Sequence, residues 1–176
     1  MGKEEKARFT VRLARPGDMA AIMEIERTAF RPAVRASNER IGLRLALFPR
    51  GFWVLEQEGQ VAAWVSSLLL SEETLRTLRT LEESEQTLDE NLHRPDGRVL
   101  YIRSLGVRPA SQRQGCGQAL INCLLGIARK NGWPLVVLLA EPKNEKYYVE
   151  KFGFERTSGY RLFQGGNHAV FEKRMV

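Results

Sequence analysis

Apolar and polar positions alternate from the start of the chain. Phe9, Val11 and Leu13 fall on one side of an extended segment, so residues 8–14 read as a first strand. Pro16-Gly17-Asp18 ends it and offers Asp18 as an N-cap. The period then changes. Ala21, Ile22, Ile25, Ala29 and Phe30 recur at helical spacing, and Ile41, Leu45 and Phe48 do so again over about 38–48, up to Pro49-Arg50-Gly51. Two strands follow, Phe52–Gln57 and Gln60–Leu70, joined tightly at Glu58-Gly59. Residues 71–93 are polar and dotted with leucine. Ser71-Glu72-Glu73 is a helix start there, and the segment fits either short helices or an ordered flap.

The second half is more regular. Residues 98–108 read as a strand, and 115–130 as a helix that buries Leu120, Leu124 and Ala128 and ends on Arg129-Lys130-Asn131-Gly132. Residues 134–140 have the Val/Leu composition of a strand covered on both faces. A helix over about 143–152 stops at Gly153, and strands near 154–162 and 168–175 finish the chain. This order of elements is mixed α/β in one domain over 1–176, with residues 1–7 a polar start expected to be disordered.

Composition changes the picture little. The chain has 176 residues, 43% hydrophobic and 27% charged, which is globular rather than disordered. Its longest apolar stretch, residues 61–70, is half of what a bilayer needs and is broken by two serines. No signal peptide is visible and no membrane association is expected. Cys116 and Cys123 have no metal or redox spacing, so no metal is expected and a reducing, cytoplasmic setting is the default. The net charge of +6 is spread along the chain without an aromatic-basic stacking motif, which argues against nucleic acid. A basic surface also suits a phosphate-bearing cofactor.

Candidate chemistry concentrates in one loop. Leu105-Gly106-Val107-Arg108-Pro109-Ala110-Ser111-Gln112-Arg113-Gln114-Gly115-Cys116-Gly117 leaves a strand and enters an amphipathic helix. Its glycines let backbone N–H groups turn toward one point, and the helix adds free donors and a positive dipole end, together an anion site. Arg113 adds a cation at the rim. A dinucleotide fingerprint would need a third glycine, and a Walker loop a Gly-Lys-Ser/Thr run; neither is present.

The run Val107-x-Pro109, then Gln112-x-x-Gly115-x-Gly117, resembles the acetyl-CoA pyrophosphate loop of the GNAT N-acetyltransferase superfamily. The downstream block is similar to the family's next motif: the Leu135–Ala140 strand, Asn144, a tyrosine pair and Phe152-Gly153-Phe154. The resemblance is strong over 98–154 and coarser over 8–175. It implies a largely antiparallel sheet of about seven strands flanked by about four helices, with acetyl-CoA as co-substrate. The cofactor-binding residues it implies are Leu105, Gly106, Val107, Gln112, Arg113, Gln114, Gly115, Cys116, Gly117, Gln118, Asn144 and Tyr148. A narrower resemblance links Leu92-His93-Arg94-Pro95-Asp96-Gly97 to the segment before the same strand in arylalkylamine (serotonin) N-acetyltransferases. Where those enzymes place two histidines on the strand, this chain has Tyr101 and Arg103.

The resemblance further implies direct attack by an amine on the acetyl thioester. An oxyanion donor is expected among the backbone amides of residues 105–107, and a tyrosine is expected to protonate the departing thiolate. Counted back from Gly153, the tyrosine position is Val149; counted from Glu141 at the strand end, it is Tyr148, which we name as acid with Tyr147 in reserve. Glu26 and Glu141 are the candidate bases, beside His93 and a base relayed by solvent alone; His168 is expected to be structural or exposed. Cys116 stands at the wrong end of CoA for a covalent route. Arg31, Arg35, Arg40 and Arg44 suit either an acidic acceptor or a solvated helix face. The expected acceptor is a small-molecule amine. A protein N-terminus or lysine, and a non-catalytic acyl-CoA-binding module, are the alternatives, and a homodimer is left open.

Overall fold

The computed structural model describes residues 9–176; the start expected to be disordered, 1–7, lies outside them. The strands are β1 (Phe9–Leu13), β2 (Phe52–Gln57), β3 (Gln60–Leu70), β4 (Val99–Val107), β5 (Leu135–Ala140), β6 (Glu155–Arg156), β7 (Arg161–Phe163) and β8 (Gly166–Arg174). The helices are α1 (Met19–Ala29), α2 (Asn38–Leu47), α3 (Glu72–Arg79), α4 (Asp89–Leu92), α5 (Cys116–Lys130) and α6 (Glu145–Phe152). The expected mixed, mostly antiparallel sheet is present, with eight strands in place of about seven and six helices in place of about four.

The sheet runs β1-β2-β3-β4-β5-β8-β6, with β7 also on β8. Among the described residues, only β4 and β5 pair in parallel. β2 turns into β3 through Glu58 (φ 53°) and Gly59 (φ 77°), the left-handed pair a two-residue hairpin requires. β3 is buried at every position from Val61 to Leu70, as befits a central strand covered on both faces. One cover is α5, whose Leu120, Ile121 and Leu124 meet Leu55, Val65, Ile102 and Leu138. On the other face, Ile22 and Ile25 of α1 and Ile41 of α2 pack on Phe52, Val54 and Trp64. Leu75, Leu78 and Leu92 of α3 and α4 pack on Leu68, Leu70 and Tyr101. Full burial of each such side chain contributes about 1.5–3 kcal/mol. Among the described residues, no helix is long and apolar enough to cross a membrane.

Two local expectations change and one open choice resolves to short helices. Asp18 precedes α1, but its carboxylate accepts from Arg15 N (2.7 Å) and from both Nη atoms of Arg12 (2.8 Å) rather than from the helix. The expected strand over 154–162 breaks into β6 and β7. Between them Thr157 N donates to Val170 O (2.8 Å), and Ser158 Oγ accepts from Val170 N (2.9 Å), so a side chain replaces the ladder. Residues 71–93 are ordered helices, with Ser71 capping α3 by accepting from Thr74 N (3.2 Å).

One irregularity shapes the site. Ser66 pairs with Ser104 but Ser67 pairs with Ile102, so Arg103 is an extra residue, a β-bulge in β4. Leu100, Ile102, Leu105 and Val107 all pack on the α5 side, with the alternation shifted by one across the bulge. Arg103 and Ser104, though consecutive, both reach partners from α2 and α4 on the opposite face.

Candidate active site

β4 and β5 are paired only from Val99↔Leu135 to Ile102↔Leu138; beyond that they part, leaving residues 103–107 of β4 without a partner on the β5 side. The phase of the β3–β4 ladder says which groups face the gap. Arg108 N donates to Ala62 O (2.8 Å), so the bonded pairs continue at Gly106 opposite Trp64. The amides of Leu105 and Val107 therefore turn toward the gap. Val107 O does so too, accepting there from Gln112 Nε2 (3.2 Å). Gly106 has another reason to be glycine: a Cβ there would lie 2.6 Å from Trp64 Nε1.

The loop after β4 is pinned at both ends. Arg108 Nη2 donates to Val61 O (3.0 Å), and Gln114 donates to Ala110 O (2.9 Å) while accepting from Gln57 (2.8 Å). Arg113 (φ 63°) and Gly115 (φ 86°) take left-handed conformations. Within α5 the first backbone donation is Ala119 N to Gly115 O (2.9 Å), so the N–H groups of Cys116, Gly117 and Gln118 stay free at the positive end of a 15-residue helix. A Cβ on Gly117 would meet Leu105, Val107 and the Tyr147 hydroxyl at 3.6 Å, ordinary contact that would fill a cradle of bare backbone. The Cys116 side chain is buried against α5's core, and burial raises its thiol pKa.

Gap and loop open into one cavity of about 1220 Å³. Leu105, Gly106, Val107, Gln112, Arg113, Gly115, Cys116, Gly117 and Gln118 line it, as do Asn144, Tyr147 and Tyr148; Gln114 stands behind the loop. Tyr148 packs edge-on to Phe154 (6.2 Å between centroids), held by the helix end at Gly153 (φ 70°), and burial raises its pKa strongly. Tyr147 is more exposed, with its hydroxyl against Gly117.

The carboxylates separate clearly. Glu141 lines the cavity and is paired with Arg31 and, at 3.0 Å, with Lys143; burial raises its pKa, but the two cations more than offset this and hold it low. Glu26 does not line this cavity. It is 3% exposed, its Oε1 accepts from Ala36 N (2.6 Å), its Oε2 is buried without a partner, and burial raises its pKa. His93 is neither on the surface nor in the cavity: Nδ1 accepts from Leu69 N (3.2 Å) and the ring lies 5.5 Å from Phe48. His168 lines the cavity beside Glu141, with Nδ1 2.9 Å from Phe163 O.

The far end of the cavity sets Asp89 and Ser104, which no sequence motif singles out, beside Arg44 and Arg103. Asp89, 1% exposed, receives Arg44 Nε and Arg103 Nε, both at 2.8 Å, and Arg44 Nη1 continues to Ser104 Oγ (3.1 Å). Arg44 is thus buried, not part of a solvated face. Asp89 gave no signal of its own, since Glu90 follows it between Leu88 and Leu92 and three glutamates closely precede it. Over this end, the β7–β8 turn presses on the loop after α1, where a Cβ on Gly165 would lie 2.2 Å from Ala33 O. Among the described residues, no three His, Cys, Asp or Glu side chains group as a metal would need.

The sequence model of the acetyltransferase (GNAT) family matches residues 19–154. Among curated proteins none matches the chain. Solved structures share the fold at low identity. The loading GNATL domain of CurA from Lyngbya majuscula has a TM-score of 0.78 at 19% identity, over 96% of this chain and 98% of that one. The ribosomal-protein-S18-alanine N-acetyltransferase from Escherichia coli scores 0.67 at 18%, over 96% and 94%. YncA, a putative acetyltransferase from Salmonella typhimurium solved with acetyl-CoA, scores 0.63 at 18%, over 96% and 94%.

Proposed function

The chain belongs to the acetyltransferase (GNAT) family, and from that membership we propose that it transfers the acetyl group of acetyl-CoA to the primary amine of a small molecule. The observation that carries this reading is the cavity itself, which joins a free helix N-terminus to an unpaired strand edge. Phosphates suit the amides of Cys116 and Gly117, and an amide-bearing pantetheine arm suits the open edge of β4, where it hydrogen-bonds as a strand would. Bound there, acetyl-CoA supplies an activated thioester.

The chain's own residues then have three tasks. The Leu105 and Val107 amides donate to the acyl oxygen as it gains charge. Glu141 takes the amine's proton through water, since it lines the cavity and Glu26 does not. Tyr148 returns a proton to the thiolate: it is half-buried on the cavity wall with a raised pKa, whereas Tyr147 stands at the phosphate loop. The β7–β8 turn and Ala33, which touch at Gly165 and both contribute to the cavity lining, favour a small acceptor over a polypeptide, which needs an open groove.

The test is release of free thiol from acetyl-CoA in the presence of an amine panel that includes short peptides. Turnover with small amines above the hydrolysis background is expected. Turnover with peptides alone would move the function to protein acetylation, and CoA binding without turnover would mark a non-catalytic module.

A further inference from the structure

Charge at the closed end of the cavity is unbalanced. Arg44 and Arg103 both converge on the single carboxylate of Asp89, and Arg40 approaches it as well (3.8 Å) while bonding Glu90 (2.8 Å). Arg35, also on the cavity wall, donates Nε only to the Phe30 carbonyl (2.8 Å). Asp89 therefore neutralises one of two guanidinium groups held below the surface. Burial, followed by repulsion from Arg103, brings the Arg44 pKa down to about 10, whereas at Arg103 burial is outweighed by Tyr101 and Asp89, which raise its pKa. Such a knot is a poor device for stability alone, because a well-packed apolar replacement of a buried ion cluster is often neutral or better.

The bulge gives this charge an address. Without Arg103 as an extra residue, Ser104 and Arg103 would point to opposite faces; with it, both join Arg44 on the cavity side, next to Leu105, whose amide opens on the gap. Arg103 stands two residues from Leu105, about 7 Å along the strand. The floor of cations is thus within reach of a carboxylate a few bonds from the reacting atoms.

We propose that this end of the cavity binds a substrate carboxylate, with Arg44 and Arg103 as its cationic floor, carried either by the acceptor amine or by the acyl chain. The inference rests on the reading of this cavity as the transfer site. Asp89 positions the two guanidinium groups, and the surplus charge recognises the ligand by charge-assisted hydrogen bonds.

Two arms of one experiment separate the sources. In the first, alanine is compared with alaninamide as acceptor of acetyl from acetyl-CoA. In the second, succinyl-CoA is compared with butyryl-CoA as donor to one amine. The arm that carries the carboxylate is expected to favour the acid at least about tenfold in kcat/KM, since desolvated charge pairs are worth that much. Alaninamide is the less basic amine, with more free base at neutral pH, so a preference for alanine would run against intrinsic reactivity. Arg103→Met is expected to bring the ratio toward one, and Arg103→Lys to restore part of it. Ratios near one in both arms, in a protein that turns over, would overturn the proposal. Calorimetry keeps the test independent of turnover: N-acetylalanine against N-acetylalaninamide for the acceptor side, and succinyl-CoA against butyryl-CoA for the acyl side. Tighter binding of one acid, lost in Arg103→Met, supports the site even if no acetyl transfer is found; equal binding in both pairs refutes it.

Discussion

Gly117 offers the sharpest separation between folding and ligand binding. In the second position of α5 an alanine should be well tolerated, because its Cβ meets Leu105, Val107 and Tyr147 no closer than 3.6 Å. It should even stabilise the helix by up to about 1 kcal/mol, as alanine loses less backbone entropy than glycine. That corresponds to a rise in Tm of about 2–4 °C for a chain of this size. The same Cβ occupies the cradle beside the free amides of Cys116 and Gly117. If a phosphate loses one or two charge-assisted hydrogen bonds there, the cost is about 1.5–3 kcal/mol each, or roughly ten- to a hundredfold in Kd per bond. Gly117→Glu adds like-charge repulsion and should abolish CoA binding in a folded protein. Thermal unfolding without ligand and calorimetric titration with CoA measure the two effects separately. Unchanged affinity in folded Gly117→Glu would show that the phosphates lie elsewhere.

Other expectations follow from the same geometry. Tyr148→Phe should lower kcat by at least about tenfold with little change in acetyl-CoA affinity, while Tyr147→Phe does little; steady-state kinetics with near-wild-type Tyr148→Phe would transfer the acid role to Tyr147 or water. Asp89→Ala strands Arg44 and Arg103 in the interior and should lower unfolding free energy by about 3–5 kcal/mol in urea titrations; a loss below about 1 kcal/mol would mean that water already compensates them. Glu26 carries a pH signature. Burial raises its pKa above the usual 4.5, so the folded state holds this proton more tightly than the unfolded chain, and the residue's penalty grows as pH rises through that value. The stability of Glu26→Gln relative to wild type should therefore improve between about pH 4 and pH 7, and a constant difference would refute the assignment.

What the sequence revealed was what local rules control. The Glu58-Gly59 hairpin, the Ser71 helix start and the glycine loop before α5 are each set by backbone conformation, and all three stand where the pattern puts them. The parting of β4 and β5 has no local signature, since parallel strands separated by a whole helix show no register in sequence. The boundary between β6 and β7 was missed because a serine hydroxyl substitutes for a ladder carbonyl, which alternation cannot reveal. Arg44 and Asp89 were harder still. They are 45 residues apart in the chain, each sits among solvent-suited neighbours, and only the fold pairs them.

Arg103 is the instructive case. Read as part of a strict two-residue alternation, Tyr101, Arg103, Leu105 and Val107 share the face of α3 and α4, and Leu100, Ile102 and Ser104 share the face under α5. That would put a hydroxyl among the leucines of α5 and two apolar side chains on the polar side. Burying an unpartnered hydroxyl there would cost about 1–3 kcal/mol, and the lost burial of Leu105 and Val107 would add to it, so the strict alternation does not suit this sequence. Adding one residue at the bulge resolves the conflict. It returns Leu105 and Val107 to the α5 side and places Ser104 under Arg44, next to the Arg103 that Asp89 holds. The polar run Arg103-Ser104 inside an apolar strand was thus a sign of an irregular strand, and the irregularity is what sets Ser104 beside Arg103 and Arg44 on the floor of one cavity.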